Sequence, residues 1–104
     1  MTFQMTALYH QPVDKAAFDR HYDEVHGPLT LALPGIRSLH VQRPGAGADG
    51  AQPTYHLIAT LTFDSEAAMA TAVGGAEGEA ALADLPNFAG AGVAILSGPV
   101  DKRL

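Results

Sequence analysis

Among the 104 residues of this chain, His26 offers the most chemistry. It lies four residues after Tyr22 and eight after Phe18, a spacing that puts all three on one side of a helix. An imidazole titrates near neutrality, so it can take or give a proton at physiological pH. A phenol one helical turn away can orient a substrate oxygen or hydrogen-bond the ring. His26 and Tyr22 therefore form a candidate acid/base pair for a small, largely apolar organic molecule. A structural reading stands beside this one. Gly27-Pro28 follow at once, and a histidine can brace the break they make in a helix. His10, His40 and His56 fall on candidate strands, where they could approach one another as metal donors. Packing or hydrogen bonding at the dimer sheet interface is the favoured reading of them, and no metal site is expected. His21 shares the helix with His26 but sits off its apolar stripe and is expected in solvent.

Several other chemistries are excluded. The chain has no cysteine, which removes disulfides, thiolate nucleophiles, Cys-ligated zinc and iron–sulfur clusters. Gly45, Gly47 and Gly50 precede no helix, and Gly74, Gly75 and Gly78 interrupt one, so no phosphate-cradling loop is visible. No cofactor is implied. Acidic residues outnumber basic ones by 11 to 6, for a formal net charge of -5. Nucleic acid and anionic membrane surfaces need clustered Lys and Arg, so neither is an expected partner. No apolar run nears the roughly 20 residues of a membrane span. Met1-Thr2-Phe3-Gln4 shows no basic and then apolar leader. A cytoplasmic protein is the expectation.

The candidate residues need elements to hold them. A chain of this length predicts one domain, residues 1–104. Phe3, Met5, Ala7 and Tyr9 alternate with Gln4, Thr6, Leu8 and His10, the period of a strand, and Pro12 ends it. Asp14 can cap a helix by accepting from the free amides of the first turn. Phe18, Tyr22, Val25 and Leu29 then recur at helical spacing and mark one apolar face. Gly27-Pro28 is expected to bend or interrupt this helix, and Pro34-Gly35 to stop it. Ile36 to Arg43 reads as a second strand, Pro44 to Pro53 as a loop and Tyr55 to Phe63 as a third strand. Ser65 opens a short helix through about Val73, and Gly74-Gly75 breaks it. Glu77 to Leu85 resumes helix and Pro86 closes it. Val93 to Gly98 is the last strand. The order β-α-β-β-α-β predicts an α+β, ferredoxin-like fold, four antiparallel strands with the helices on one face.

The other face must be polar or covered. On the third strand it carries His56, Ile58, Thr60 and Thr62, with no charge. A solvated sheet face usually carries Lys or Glu. Two copies packed sheet to sheet would cover it, which predicts a homodimer through this open face.

One set of residues resembles a known family. Tyr9-His10, Asp14, Phe18, Tyr22, His26-Gly27-Pro28-Leu29, Leu33-Pro34-Gly35-Ile36-Arg37 and Phe63-Asp64-Ser65-Glu66 look like the EthD family over the whole chain. The resemblance implies a dimeric α+β barrel made from two ferredoxin-like halves. It also implies an association with oxidative degradation of fuel ethers. Related barrels include cofactor-free monooxygenases, polyketide cyclases, lactone isomerases and heme enzymes, so the fold selects no reaction. Some related isomerases pair the helix histidine with a strand-three cysteine. Leu61 stands at the matching position here, which argues against that mechanism and for an apolar pocket. The expected site is then His26 and Tyr22 as the catalytic pair, with Phe18, Tyr9, Leu61 and Leu29 around the ligand. Three readings follow: a cofactor-free oxidoreductase or an isomerase or cyclase; a non-catalytic accessory that binds a metabolite for an oxygenase system; or a family member whose pocket is filled by side chains and serves structure alone.

Overall fold

A computed structural model describes residues 2–102. Met1, Arg103 and Leu104, the outer edges of the expected domain, lie outside the described residues. Four strands, β1 (Phe3–His10), β2 (Ser38–Gln42), β3 (Tyr55–Phe63) and β4 (Val93–Pro99), form one sheet in the order β2-β3-β1-β4, every pair antiparallel. This is the α+β, ferredoxin-like arrangement read from the sequence. The alternating pattern sets the register. Ala7 pairs with Ala59 on one side and with Ile95 on the other, and Met5 with Leu61. Partners that face each other across a sheet share a face. Ala7, Tyr9, Leu57, Ala59, Leu61 and Phe63 therefore point together toward the helices, and all are buried.

The first helical segment is one rod of three parts: α1 (Lys15–His21), a π turn (Tyr22–His26) and α2 (Gly27–Leu31). Asp14 caps it by accepting from the Ala17 amide at 3.0 Å. Gly27-Pro28 does not interrupt the rod. The Gly27 amide reaches back to the Tyr22 carbonyl, five residues away, and so widens the turn. The wide turn makes room for the Pro28 ring, which would otherwise press on the preceding turn. It also changes which residues face inward. Steps of four overshoot an α-helical turn by about 40° each. The extra residue takes up that drift, so Phe18, Tyr22, His26 and Thr30 are all buried. Val25, expected on the apolar face, is instead 39% exposed.

The second helical segment splits as expected at Gly74-Gly75, into α3 (Glu66–Gly74) and α4 (Ala76–Phe88). Ser65 caps α3 through the Ala68 amide at 3.1 Å. Pro86 does not close α4, which runs two residues further. A proline removes one backbone donor, but the bond that closes the helix, from the Ala89 amide to the Leu85 carbonyl at 2.8 Å, is kept. Phe88, packed among other rings, holds the last turn in place. Gly78 lets α4 approach α3, since a Cβ there would run into the Val73 backbone.

The register of the sheet slips once, between Tyr9 and His10, where Leu57 and Tyr55 are the successive partners. His56 falls at this bulge and turns to the helix side, where it meets Asp19 of α1 at 2.8 Å and the Phe18 ring at 5.1 Å. The expectation that His56 lies on the open face is corrected accordingly. The rest of that face is as read. Thr6, Thr60, Leu96 and exposed His40 make one row across it, and Leu8 and Ile58 lie in the next.

Candidate functional site

His26 sits at the end of the π turn and is only 5% exposed. Both its nitrogens are engaged. Nδ1 lies 3.0 Å from Oδ2 of Asp84 on α4, and Nε2 lies 3.3 Å from the Tyr9 hydroxyl at the end of β1. A carboxylate can only accept, so Nδ1 carries the proton and Nε2 accepts from the phenol. Asp84 is itself buried and accepts from two more groups. The Asn87 amide is at 3.0 Å, and His21 Nε2 is 2.9 Å from each carboxylate oxygen. Four elements thus deliver one chain of groups: strand β1, helix α1, the wide turn and helix α4.

Burial decides the protonation states. It pushes the His26 imidazole below the ordinary histidine range, and His21 adds to this, while the bond and charge of Asp84 pull the other way without winning. His26 is therefore neutral at neutral pH and able to accept a proton. Burial alone would raise Asp84, but hydrogen bonds from Asn87, His21 and His26 hold it below the usual carboxylate range. The Tyr9 phenol is pushed far up by burial, then by Tyr22 and Asp84. Tyr22 is pushed up to about 12 by burial, against the pull of Arg43.

The chain of groups borders a cavity of about 250 Å³ between the sheet and the helices. Tyr9, Tyr22 and His26 supply its polar edge together with Thr30, and the rest of its wall is aliphatic, including Met5, Leu33 and Leu61. Among the described residues, no Lys, Arg, Asp or Glu lines it.

The expected site residues separate into two groups. His26, Tyr22, Tyr9 and Leu61 meet at this cavity. Tyr22 does not bond the imidazole, however. Its ring centre is 5.4 Å from that of His26, and the bonding phenol is Tyr9. Phe18 stands one ring back, edge-on to Tyr9 at 5.4 Å, and borders a second cleft instead. Leu29 is not in the wall, because the wide turn brings Thr30 and Leu33 there. His21 is not free in solvent but bonded to Asp84. His10, His40 and His56 are kept apart: His10 packs on Tyr55, His40 faces out from an edge strand and His56 binds Asp19. Among the described residues, no group of three His, Cys, Asp or Glu side chains is placed to hold a metal ion.

Asp84 and Phe88 were missed from the sequence. Phe88 touches the Tyr9, Phe18 and Tyr22 rings and both His21 and His26, with centres 4.7–6.0 Å apart. The available signal was spacing. Ala81, Leu85 and Phe88 form the inward stripe of α4, and Asp84 is a carboxylate set into it.

Residues 10–92 match the model of the EthD domain. An 11.0 kDa protein of the thcB–thcC intergenic region of Rhodococcus erythropolis is 36% identical over 94 residues, 90% of each chain. The crystal structure of an ethyl tert-butyl ether d (EthD) family protein from Bacillus halodurans is 33% identical and superposes with a TM-score of 0.89, over 100% of both chains. A dimeric ferredoxin-like protein from Thermobifida fusca shares the fold at 17% identity and a TM-score of 0.70, over 96% of this chain and 92% of its own. By family model, by sequence and by structure, this chain belongs to the EthD family.

Proposed function

We propose that the cavity binds a small, neutral, apolar or aromatic molecule, and that His26 moves a proton to or from it through the Tyr9 hydroxyl. The observation that carries this reading is the doubly bonded His26: a carboxylate fixes one nitrogen, and the other faces the cavity by way of a phenol. A neutral imidazole backed by a carboxylate is a general base whose tautomer is set in advance. Tyr22, Thr30 and Leu61 shape the space around the guest, and Phe18 supports the aromatic wall from behind. At about 250 Å³ the cavity lies below the roughly 300–1,000 Å³ of sites for drug-sized ligands. A wall without cations, with Asp84 behind His26, disfavours carboxylate guests. Removing a proton from such a guest leaves an anion. That anion is either reprotonated at another atom, as in isomerisation, or oxidised by dioxygen without a resident cofactor. The proton transfer is common to both, and it is the step these residues serve.

The cavity lies within one chain, and the opposite face of the sheet is free to take a second copy. Two molecules packed through the uncharged open face would form a dimeric α+β barrel. The Thermobifida fusca protein of the same fold is dimeric, which supports a pair.

A thermal-shift series tests the ligand class. Phenol and 2-naphthol should raise the unfolding midpoint in a concentration-dependent way, and benzoate should not. Equal stabilisation by benzoate contradicts a neutral guest. A midpoint raised equally in His26→Leu favours the accessory reading, in which the histidine has no part.

A further inference from the structure

Asp84 bonds a partner that a positioned base does not require. His21 Nε2 lies 2.9 Å from Oδ2, the same oxygen that His26 Nδ1 contacts at 3.0 Å. No rotation of the carboxyl group is needed to pass from one ring to the other. His21 keeps 26% of its side chain exposed, against 7% for His26. It also borders a second cleft, together with Asp14, Asn87 and Phe88, and none of the residues of that cleft lines the cavity. Phe88 lies against both imidazoles, with ring centres 5.0 Å from His21 and 4.7 Å from His26.

We infer that His21 is the solvent-side end of a proton path, Tyr9–His26–Asp84–His21, that connects the apolar cavity to the second cleft. A seated guest would block the cavity, and beyond the Tyr22 and Thr30 hydroxyls its wall is aliphatic and offers a proton no stepping point. The transfers balance. The Tyr9 oxygen takes the guest's proton as its own passes to His26 Nε2. The imidazolium gives its Nδ1 proton to Asp84 Oδ2 and is neutral again. His21 first exchanges through water from the Nε2–H form that donates to Asp84 to the Nδ1–H form. Asp84 then passes the proton to the bare Nε2, and His21 releases its Nδ1 proton to water, which returns it to the donating form. One proton has left, one negative charge stays on the guest, and the reverse sequence restores every tautomer. Asp84 acts as a transit group, since its bonds favour the ionised form. The remaining acid at the second cleft, Asp14, is occupied as the α1 cap.

The inference rests on His26 being the proton acceptor, but its test needs no substrate. The exchange rate of the His26 Nδ1 proton with water is read by NMR of the 15N-labelled protein. His21→Gln keeps a donor for Asp84 but cannot relay a proton. In this variant the unfolding midpoint should stay near that of the wild type, and exchange should slow by about tenfold or more. In His21→Ala, added imidazole should restore the rate in proportion to its concentration. Unchanged exchange in His21→Gln, or no restoration by imidazole, would overturn the path. A site that conducts protons this way but binds no neutral guest would sink the proposed function and leave the path standing.

Discussion

At the scale of single residues, the fold buries titratable groups without charging them all. The sign of the pH dependence follows. The folded-state pKa of His26 is lowered, so the unfolded chain takes up the proton first as pH falls. The contribution of His26 is complete above the ordinary histidine value of about 6.5 and is lost as pH drops below it. Asp84 is lowered from 3.8, so its contribution is complete above that value and is lost as pH falls further. Stability should therefore decline in two windows on the acid side. Subtracting the pH profile of His26→Gln from that of the wild type isolates the first window. A wild-type midpoint that rises between pH 7 and 5 relative to the variant would contradict the burial of a neutral ring. The aromatic partners belong to the same scale. Tyr9 was legible as an inward residue of β1, but its bond to His26 was not, because nothing in a run of 17 residues announces which phenol meets the ring.

At the scale of elements, simple alternation and capping were readable, and exceptions to regular geometry were not. Tyr55–Phe63 is a strand of the expected bounds because every second residue is apolar. Ser65 and Asp14 cap where their side chains reach free amides. The π turn has no periodicity of its own in five residues, so Val25 and Leu29 were assigned to a face that Thr30 and Leu33 occupy. The bulge that turns His56 inward depends on pairing with β1, a contact remote in sequence. Helix α4 runs through Pro86 because packing of Phe88 outweighs one lost bond. Close approach of α3 and α4 supplies an element-scale prediction. Gly78→Ala should lower stability by about 1–3 kcal/mol through overpacking against the Val73 backbone. It should also narrow the cavity that Gly78 lines. Chemical denaturation with an unchanged midpoint would show that the two helices part without cost.

At the scale of the whole molecule, the sheet divides two tasks. Its helix side encloses the cavity and the proton-handling chain, and its open side carries no charge along β3. No helix among the described residues is long and apolar enough to cross a membrane. Leu96, 63% exposed in the single chain, stands in the row with Thr6, Thr60 and His40. A Leu96→Arg substitution would place a charge against its counterpart in a face-to-face pair. Light scattering should give the mass of two chains for the wild type and of one for Leu96→Arg. A wild type that scatters as one chain at micromolar concentration would remove the dimer. The shape of the domain was legible because element order and alternation determine it. The site was legible only in part, because Asp84 joins His26 from 58 residues away. The most direct test of the central claim is the 15N resonance of His26 Nε2 as phenol is added. This nitrogen should shift in step with occupancy of the cavity, and the shift should be lost when Tyr9→Phe removes the hydroxyl. Phenol that binds while the imidazole nitrogen stays unmoved would contradict it.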